Sequence, residues 1–270
     1  MATLTIDGTE IYYERRGAGE PMLLIQGLGG NSLHWGDAFL DGLAQTHELV
    51  LYDHRGAGRS GPIDVECTIK GLAEDAVALL DALEIESAHV LGISMGGMVA
   101  QELVLSRPER VRTLTLGCSF AGGVQARMTD QAIVGQIAEA VLSGDTERAT
   151  RVGYEIMIAP EYAADPANYE IYAATAGQYP ASVATLMGQL SAIIAHDASE
   201  RLASIATPTL VIHGTADRLL ESVNGELLAR LIPDARLELL EGSGHMFFWE
   251  QPERSAKLVI DHVAAATPGS

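Results

Sequence analysis

His89-Val90-Leu91-Gly92-Ile93-Ser94-Met95-Gly96-Gly97 is the stretch on which the reading of this chain turns. An apolar run breaks into a serine with a glycine two residues to either side, then continues as the amphipathic Met98-Val99-Ala100-Gln101-Glu102-Leu103. The pattern predicts a strand, a sharp turn that carries Ser94, and a helix. A serine hydroxyl attacks a carbonyl only when it stands clear of its surroundings, within reach of a base and beside donors for the oxyanion that forms. A tight strand-to-helix turn supplies that stance. It also brings strand and helix so close that Gly92 and Gly96 have little room for side chains. The helix N-terminus beneath Ser94 adds free backbone N–H groups and a partial positive charge.

Upstream, residues 3–6 and 11–14 flank Asp7-Gly8, a hairpin signal. Residues 21–25 form a continuous apolar run, as in a strand buried on both faces, and empty into Gln26-Gly27-Leu28-Gly29-Gly30-Asn31. A helix is expected over 33–43 and a strand over 48–52, closed by Asp53-His54-Arg55-Gly56-Ala57-Gly58-Arg59-Ser60. Ile69, Leu72, Ala76, Leu79, Leu80 and Leu83 recur at helical spacing, and residues 111–116 read as the strand after the Ser94 helix. This alternation implies a parallel sheet covered on both faces.

The alternation stops at about residue 122. Up to about 201 the chain shows helical patterns (132–142, 147–158, 182–194) and no buried strand. Strands resume at 208–213 and 236–240, a last helix spans 251–265, and residues 267–270 read as frayed. The expected organisation is an α/β core of residues 1–121 and 202–270 interrupted by a helical insertion, 122–201. The tyrosines and methionines of the insertion, Tyr154, Met157, Tyr162, Tyr169, Tyr172, Tyr179 and Met187, either pack within it or line a cavity, and packing is the expected role.

Of the 270 residues 47% are hydrophobic and 20% charged, ample for a core of this size. A formal net charge of −19 argues against nucleic acid or an anionic membrane as partner. No apolar run reaches the ~18 residues of a membrane helix, and Met1-Ala2-Thr3-Leu4 lacks the basic start of a signal peptide, so a cytoplasmic location is expected. Cys67 and Cys118 have no metal-type spacing and read as free thiols.

Ser94, Asp217 and His245 each follow a predicted strand, in that order. In an open parallel sheet such loops share one edge, so residues distant in sequence converge there. Ser94 is the candidate nucleophile, His245 the general base and Asp217 the carboxylate that orients the imidazole. Asp53 also follows a strand and competes with Asp217. Its glycine- and arginine-rich turn, where a carboxylate can satisfy backbone donors, favours Asp217 for the catalytic role. The oxyanion donors are assigned to the backbone N–H groups of Met95 and Leu28. His196 and His213 read as structural.

Taken together, the Gln26–Gly30 turn, the Asp53–Ser60 turn, Gly92-Ile93-Ser94-Met95-Gly96-Gly97, Gly214-Thr215-Ala216-Asp217 and Gly244-His245 resemble the α/β-hydrolase superfamily. The core segments are most similar to its serine esterases and lactonases grouped around 3-oxoadipate enol-lactonase, and perhydrolases and anthracycline methylesterases share such motifs. The resemblance implies a mostly parallel eight-stranded sheet, a helical cap between strands six and seven, and no cofactor. Gln26 departs from it, because the family often has histidine there; altered local hydrogen bonding is the expected consequence. Serine at position 94 speaks against haloalkane dehalogenases and epoxide hydrolases, which use aspartate.

The expected activity is hydrolysis of a small-molecule carboxylic ester or lactone through an acyl-serine. One alternative is hydrolysis of a carbon–carbon bond in a ring-cleavage product, with Arg127, Arg148 or Arg151 as anchors for a substrate carboxylate, although a solvated helix face is the expected place for each. Another is a non-catalytic ligand receptor. Neither the substrate nor the oligomeric state is legible.

Overall fold

Asp7 and Gly8 both take positive φ, 45° and 84°. That two-residue turn matches the twist of the strands it joins, and it closes β1 (Ala2–Ile6) on β2 (Thr9–Gly17). The chain continues through β3 (Glu20–Ile25), α1 (Asp37–Ala44), β4 (His47–Tyr52), α2 (Ile69–Ala82), β5 (Ala88–Ile93), α3 (Met95–Ser106) and β6 (Val111–Gly117). Five helices follow, α4 (Gln131–Leu142), α5 (Thr146–Met157), α6 (Pro160–Ala163), α7 (Pro166–Ala176) and α8 (Val183–Ala195). Then come β7 (Thr209–Gly214), α9 (Val223–Leu231), β8 (Arg236–Leu240), α10 (Phe247–Glu250) and α11 (Pro252–Ala266). This computed structural model describes residues 2–63 and 66–266, so the expectation of fraying over 267–270 lies outside the described residues.

The strands form one eight-stranded sheet in the order β1-β2-β4-β3-β5-β6-β7-β8. Only the β1–β2 and β2–β4 pairs are antiparallel. The continuous apolar runs have a simple cause: successive side chains point to opposite faces, and both faces are covered. Leu23, Ile25, Val50, Tyr52, Ala88 and Val90 pack on one side with α2 and α3. Met22, Leu24, Leu49, Leu51, Leu91 and Ile93 pack on the other with Phe39, Leu43, Val259 and Val263 of α1 and α11. Strand order reverses between β3 and β5, which sets the loop after β3 beside the loop after β5, the place where open α/β sheets take ligands.

Two local readings need correction. The helix expected over 33–43 is split into a 3₁₀ turn, Ser32–Trp35, and α1, because Gly36 between them takes φ 75°. Helix α7 is an addition to the expected helices, since its alanines and tyrosines give no clear apolar stripe. Its true signals are local ones, the Asp165 side chain accepting from Ala167 N–H and Pro166 in the first turn.

The run of helices leaves and rejoins the core through one neck, where Gly122 pairs with Asp197 and Ala198 N–H donates to Ala121 O at 2.9 Å. Inside it Tyr154, Tyr169 and Tyr172 form an aromatic cluster that Trp249 joins from α10. Tyr179 and Met187, in contrast, are exposed. Cys67 and Cys118 are free thiols. No helix among the described residues is long and apolar enough to cross a membrane.

Burial holds His34, His47, His54, His89, His196 and His262 below the ordinary histidine value of 6.5. For His196, in contact with Glu102, burial outweighs the pull of that carboxylate and the pKa falls to about 4. Between these values the unfolded chain binds more protons than the folded one, so these groups make stability fall as pH drops from 7 towards 4. Relief of acidic self-repulsion opposes this. Calorimetry at pH 7.5 and 5 should show Tm falling on acidification, and a His196→Gln variant should lose less Tm than wild type over that interval.

Candidate active site

Ser94 sits at φ 54° and ψ −123°, immediately before the first residue of α3. A side chain rarely accepts this left-handed backbone, and it persists because the surroundings over-determine it. Ser94 N–H donates to Gly117 O at 2.8 Å, and Ser119 Oγ donates to Ser94 O at 2.8 Å. A Cβ on Gly92 would overlap Gly96 O. One on Gly96 would overlap Ile25 O and lie 2.6 Å from Gln26 O. Helix α3 thus meets β5 and the end of β3 backbone to backbone, as the glycine spacing requires.

Asp217 is buried in the turn after β7. Its Oδ1 accepts from Leu219 and Leu220 N–H, both at 2.9 Å. Its Oδ2 lies 2.7 Å from His245 Nδ1 and 3.3 Å from His213 Nε2. A carboxylate accepts, so His245 Nδ1 carries the proton and Nε2 is left as the basic nitrogen. His213 Nε2 likewise donates, since it also meets Leu220 O at 2.8 Å. Burial alone would raise the Asp217 carboxyl. The electrostatic attraction of His245 and the bonds from His213 and His245 outweigh it and hold the group well below the usual carboxylate range.

The His245 loop is fixed from two sides. His245 N–H donates to Met157 O, the last residue of α5, at 2.7 Å. The Glu250 carboxylate accepts from Gly244 N–H at 3.0 Å and Ala159 N–H at 3.2 Å. Burial raises the Glu250 carboxyl against the lowering effect of those two donors. Cys118 Sγ, an Asp217 oxygen and a His245 nitrogen lie within 4.8 Å of one another, the one cluster among the described residues with atoms suited to a metal. Burial pushes that thiol well above its ordinary pKa, and the other two groups engage each other, so the trio is poorly disposed to bind one.

The turn after β3 passes directly over the serine, since a Cβ on Gly27 would come within 3.0 Å of Ser94 Cβ. Gly30 N–H donates to Gly27 O at 3.1 Å and closes the turn. Gln26, at the position where the resembling enzymes often carry histidine, accepts Gly27 N–H on its Oε1 at 3.1 Å. Its own carbonyl meets His54 Nε2 at 3.1 Å. Gly29 N–H is taken by Gln189 Oε1 of α8 at 2.8 Å. The N–H groups of Leu28 and Met95 have no acceptor among the described residues.

Asp53 is committed elsewhere. Its carboxylate accepts from Ser32 N–H at 2.6 Å, Ser32 Oγ at 2.8 Å and Arg59 N–H at 2.8 Å, which knits two turns together. Arg127, Arg148 and Arg151 lie at the surface near Glu221, Glu139 and Glu147. His196 is buried against Glu102 at the neck, and the half-exposed Arg201 pairs with the same carboxylate. Sequence reasoning missed Glu250, Gln189 and the partnership of His213 with Asp217. His213 and Asp217 are four residues apart and span a strand end, a spacing that could have flagged the pair. Nothing in the sequence marks Gln189.

The chain belongs to the alpha/beta hydrolase fold family, whose pattern matches residues 20–252. Within that family it is similar to a putative carbamate hydrolase, RutD, of Azorhizobium caulinodans, 34% identical over 248 residues, 90% of this chain and 91% of the relative. It is also similar to the rhodomycin D methylesterase DnrP of Streptomyces peucetius, 28% identical over 302 residues, 99% of this chain and 100% of the relative. The solved enol-lactonase of Burkholderia xenovorans shares the fold with a TM-score of 0.85, 24% identity, and coverage of 97% and 100% of the two chains. The chain is therefore a member of a hydrolase family.

The environment of Asp53 predicts a purely structural cost for its loss. Asp53→Asn would set an amide N–H₂ against donors that now share a carboxylate, a loss of about 2–4 kcal/mol. Thermal melts should show Tm lowered by roughly 5–10 °C, with the pH dependence of turnover unchanged.

Proposed function

We propose that this protein hydrolyses a small-molecule carboxylic ester or lactone through an acyl-serine intermediate. The observation that carries the reading is the buried 2.7 Å bond between His245 Nδ1 and Asp217 Oδ2. It leaves Nε2 free as a base at the sheet edge that also carries Ser94. In this reading His245 Nε2 takes the proton from Ser94 Oγ as the oxygen attacks the carbonyl carbon. The oxyanion is held by the N–H groups of Leu28 and Met95. The tetrahedral intermediate collapses, the leaving alcohol receives the proton from His245, and the acyl group stays on Ser94. Water, deprotonated by the same nitrogen, then releases the acid. For a lactone the alcohol remains tethered to the acyl group. Every step uses side chains and backbone of this chain, so the mechanism calls for no cofactor.

The similarity to a putative carbamate hydrolase supports a second substrate class on the same machinery. A carbamate would pass through a carbamoyl-serine by the same proton transfers. The carbon–carbon alternative has less support, because the three arginines it would use stand near surface carboxylates.

A panel of p-nitrophenyl esters from acetate to long acyl chains, with small lactones and an aryl carbamate, tests the reading. Wild type should turn over esters or lactones, with the carbamate slower. Ser94→Ala should lose about 10³-fold or more in kcat, and Asp217→Asn about 10³- to 10⁴-fold, with both folds intact by circular dichroism. Ser94→Ala at wild-type rates would sink the assignment.

A further inference from the structure

Gln189 lies on α8, far in sequence from every strand loop of the site, and is completely buried. Its Oε1 accepts Gly29 N–H at 2.8 Å. The orientation of the amide is unambiguous, because the reverse would set N–H₂ against N–H. Gln26 Oε1 takes the N–H of Gly27 in the same way. Two carboxamide oxygens thus occupy the N–H groups on either side of Leu28 and leave only the middle one to face a developing oxyanion. Gln189 Nε2 is buried with no hydrogen-bond partner among the described residues, an unfavourable arrangement unless something answers it. Bond lengths confine Nε2 to within about 5 Å of the Gly29 nitrogen.

Sheet order decides which part of a substrate Nε2 would meet. The oxyanion turn follows β3 and His245 follows β8, and these strands flank β5 from opposite sides. The leaving group must face His245 to be protonated. A donor beside Gly29 therefore lies on the side of the oxyanion and the acyl group.

Building on the acyl-serine reading, we propose that Gln189 is a positioning and specificity-determining residue. Its Oε1 aims the oxyanion turn from the helical insertion, and its Nε2 donates to a second acceptor on the acyl portion of the substrate. The substrate class is then esters or lactones whose acyl part carries an oxygen close to the scissile carbonyl. Seating of α8 and completion of the oxyanion hole become one event.

The test compares p-nitrophenyl butyrate with p-nitrophenyl methoxyacetate, which differ by one methylene replaced by oxygen, in wild type, Gln189→Met and Gln189→Glu. Referring each variant to wild type cancels the intrinsic reactivity of the two esters. With butyrate, Gln189→Met should lower kcat about tenfold with KM within twofold, the mark of a lost transition-state contact. The ratio of kcat/KM for methoxyacetate to that for butyrate should fall about fivefold in both variants, the worth of one ordinary hydrogen bond. Gln189→Glu retains an oxygen for Gly29, so it supplies the ratio even where Gln189→Met fails to fold. A ratio unchanged within twofold overturns the donor role, and an unchanged kcat for Gln189→Met overturns the positioning role. Wild type that hydrolyses neither of these esters, nor the other esters, the lactones and the carbamate of the panel above, overturns the acyl-serine reading and this inference with it; active wild type with an unchanged ratio overturns this inference alone.

Discussion

Three stretches of backbone meet without side chains between them at the start of α3. The carbonyls of Ile25 and Gln26, the Gly92–Gly96 contact and the left-handed Ser94 form a single close-packed knot. Close approach of bare backbone is what lets a helix begin directly above a strand end, and it aims the α3 N-terminus at one spot. Loosening the knot would move the serine, the Met95 N–H and the Gly27–Gly30 turn together. The strained torsion of Ser94 is thus held by the whole layer of sheet and helix rather than by any one bond.

Around that knot the sheet distributes roles by strand order. The reversal between β3 and β5 sets the Gly27-Leu28-Gly29-Gly30 turn on one side of Ser94, while β6, β7 and β8 lead away on the other towards Asp217 and His245. Supporting contacts follow the same geography. His213 and two backbone N–H groups fasten Asp217, and Glu250 with Met157 O fastens the His245 loop. The His213–Asp217 contact is buried, where a hydrogen bond is stronger and an unmade one more costly, while Glu250 and Met157 are half-buried.

The helices between β6 and β7 share in the site instead of merely covering it. Met157 reaches the His245 loop, Thr185 Oγ1 donates to Gly56 O at 3.1 Å, and Gln189 holds Gly29. Two of these ties reach the His245 loop and the Gly27–Gly30 turn, and the third reaches the Asp53–Ser60 turn. Any opening of these helices must therefore disturb those loops, which links access to the site with its assembly.

The strands and the Ser94 elbow could be read from the residues alone, because they follow from short-range rules, whereas α7 and the break at Gly36 could not. A strand buried on both faces must be apolar throughout, a turn at positive φ selects glycine or a strained residue, and a backbone contact forbids a Cβ. The placement of Ser94, Asp217 and His245 after strands could be read for the same reason, since strand ends in a parallel sheet share an edge. The turn around Asp53 hinted that its carboxylate serves backbone donors, and the folded chain supplies the partners, Ser32 and Arg59. Only the tertiary structure brought Gln189, Glu250 and the Met157 carbonyl to the site. Gln189 meets Gly29 across 160 residues of chain, and no periodicity or spacing encodes a contact closed by the packing of an insertion against a loop.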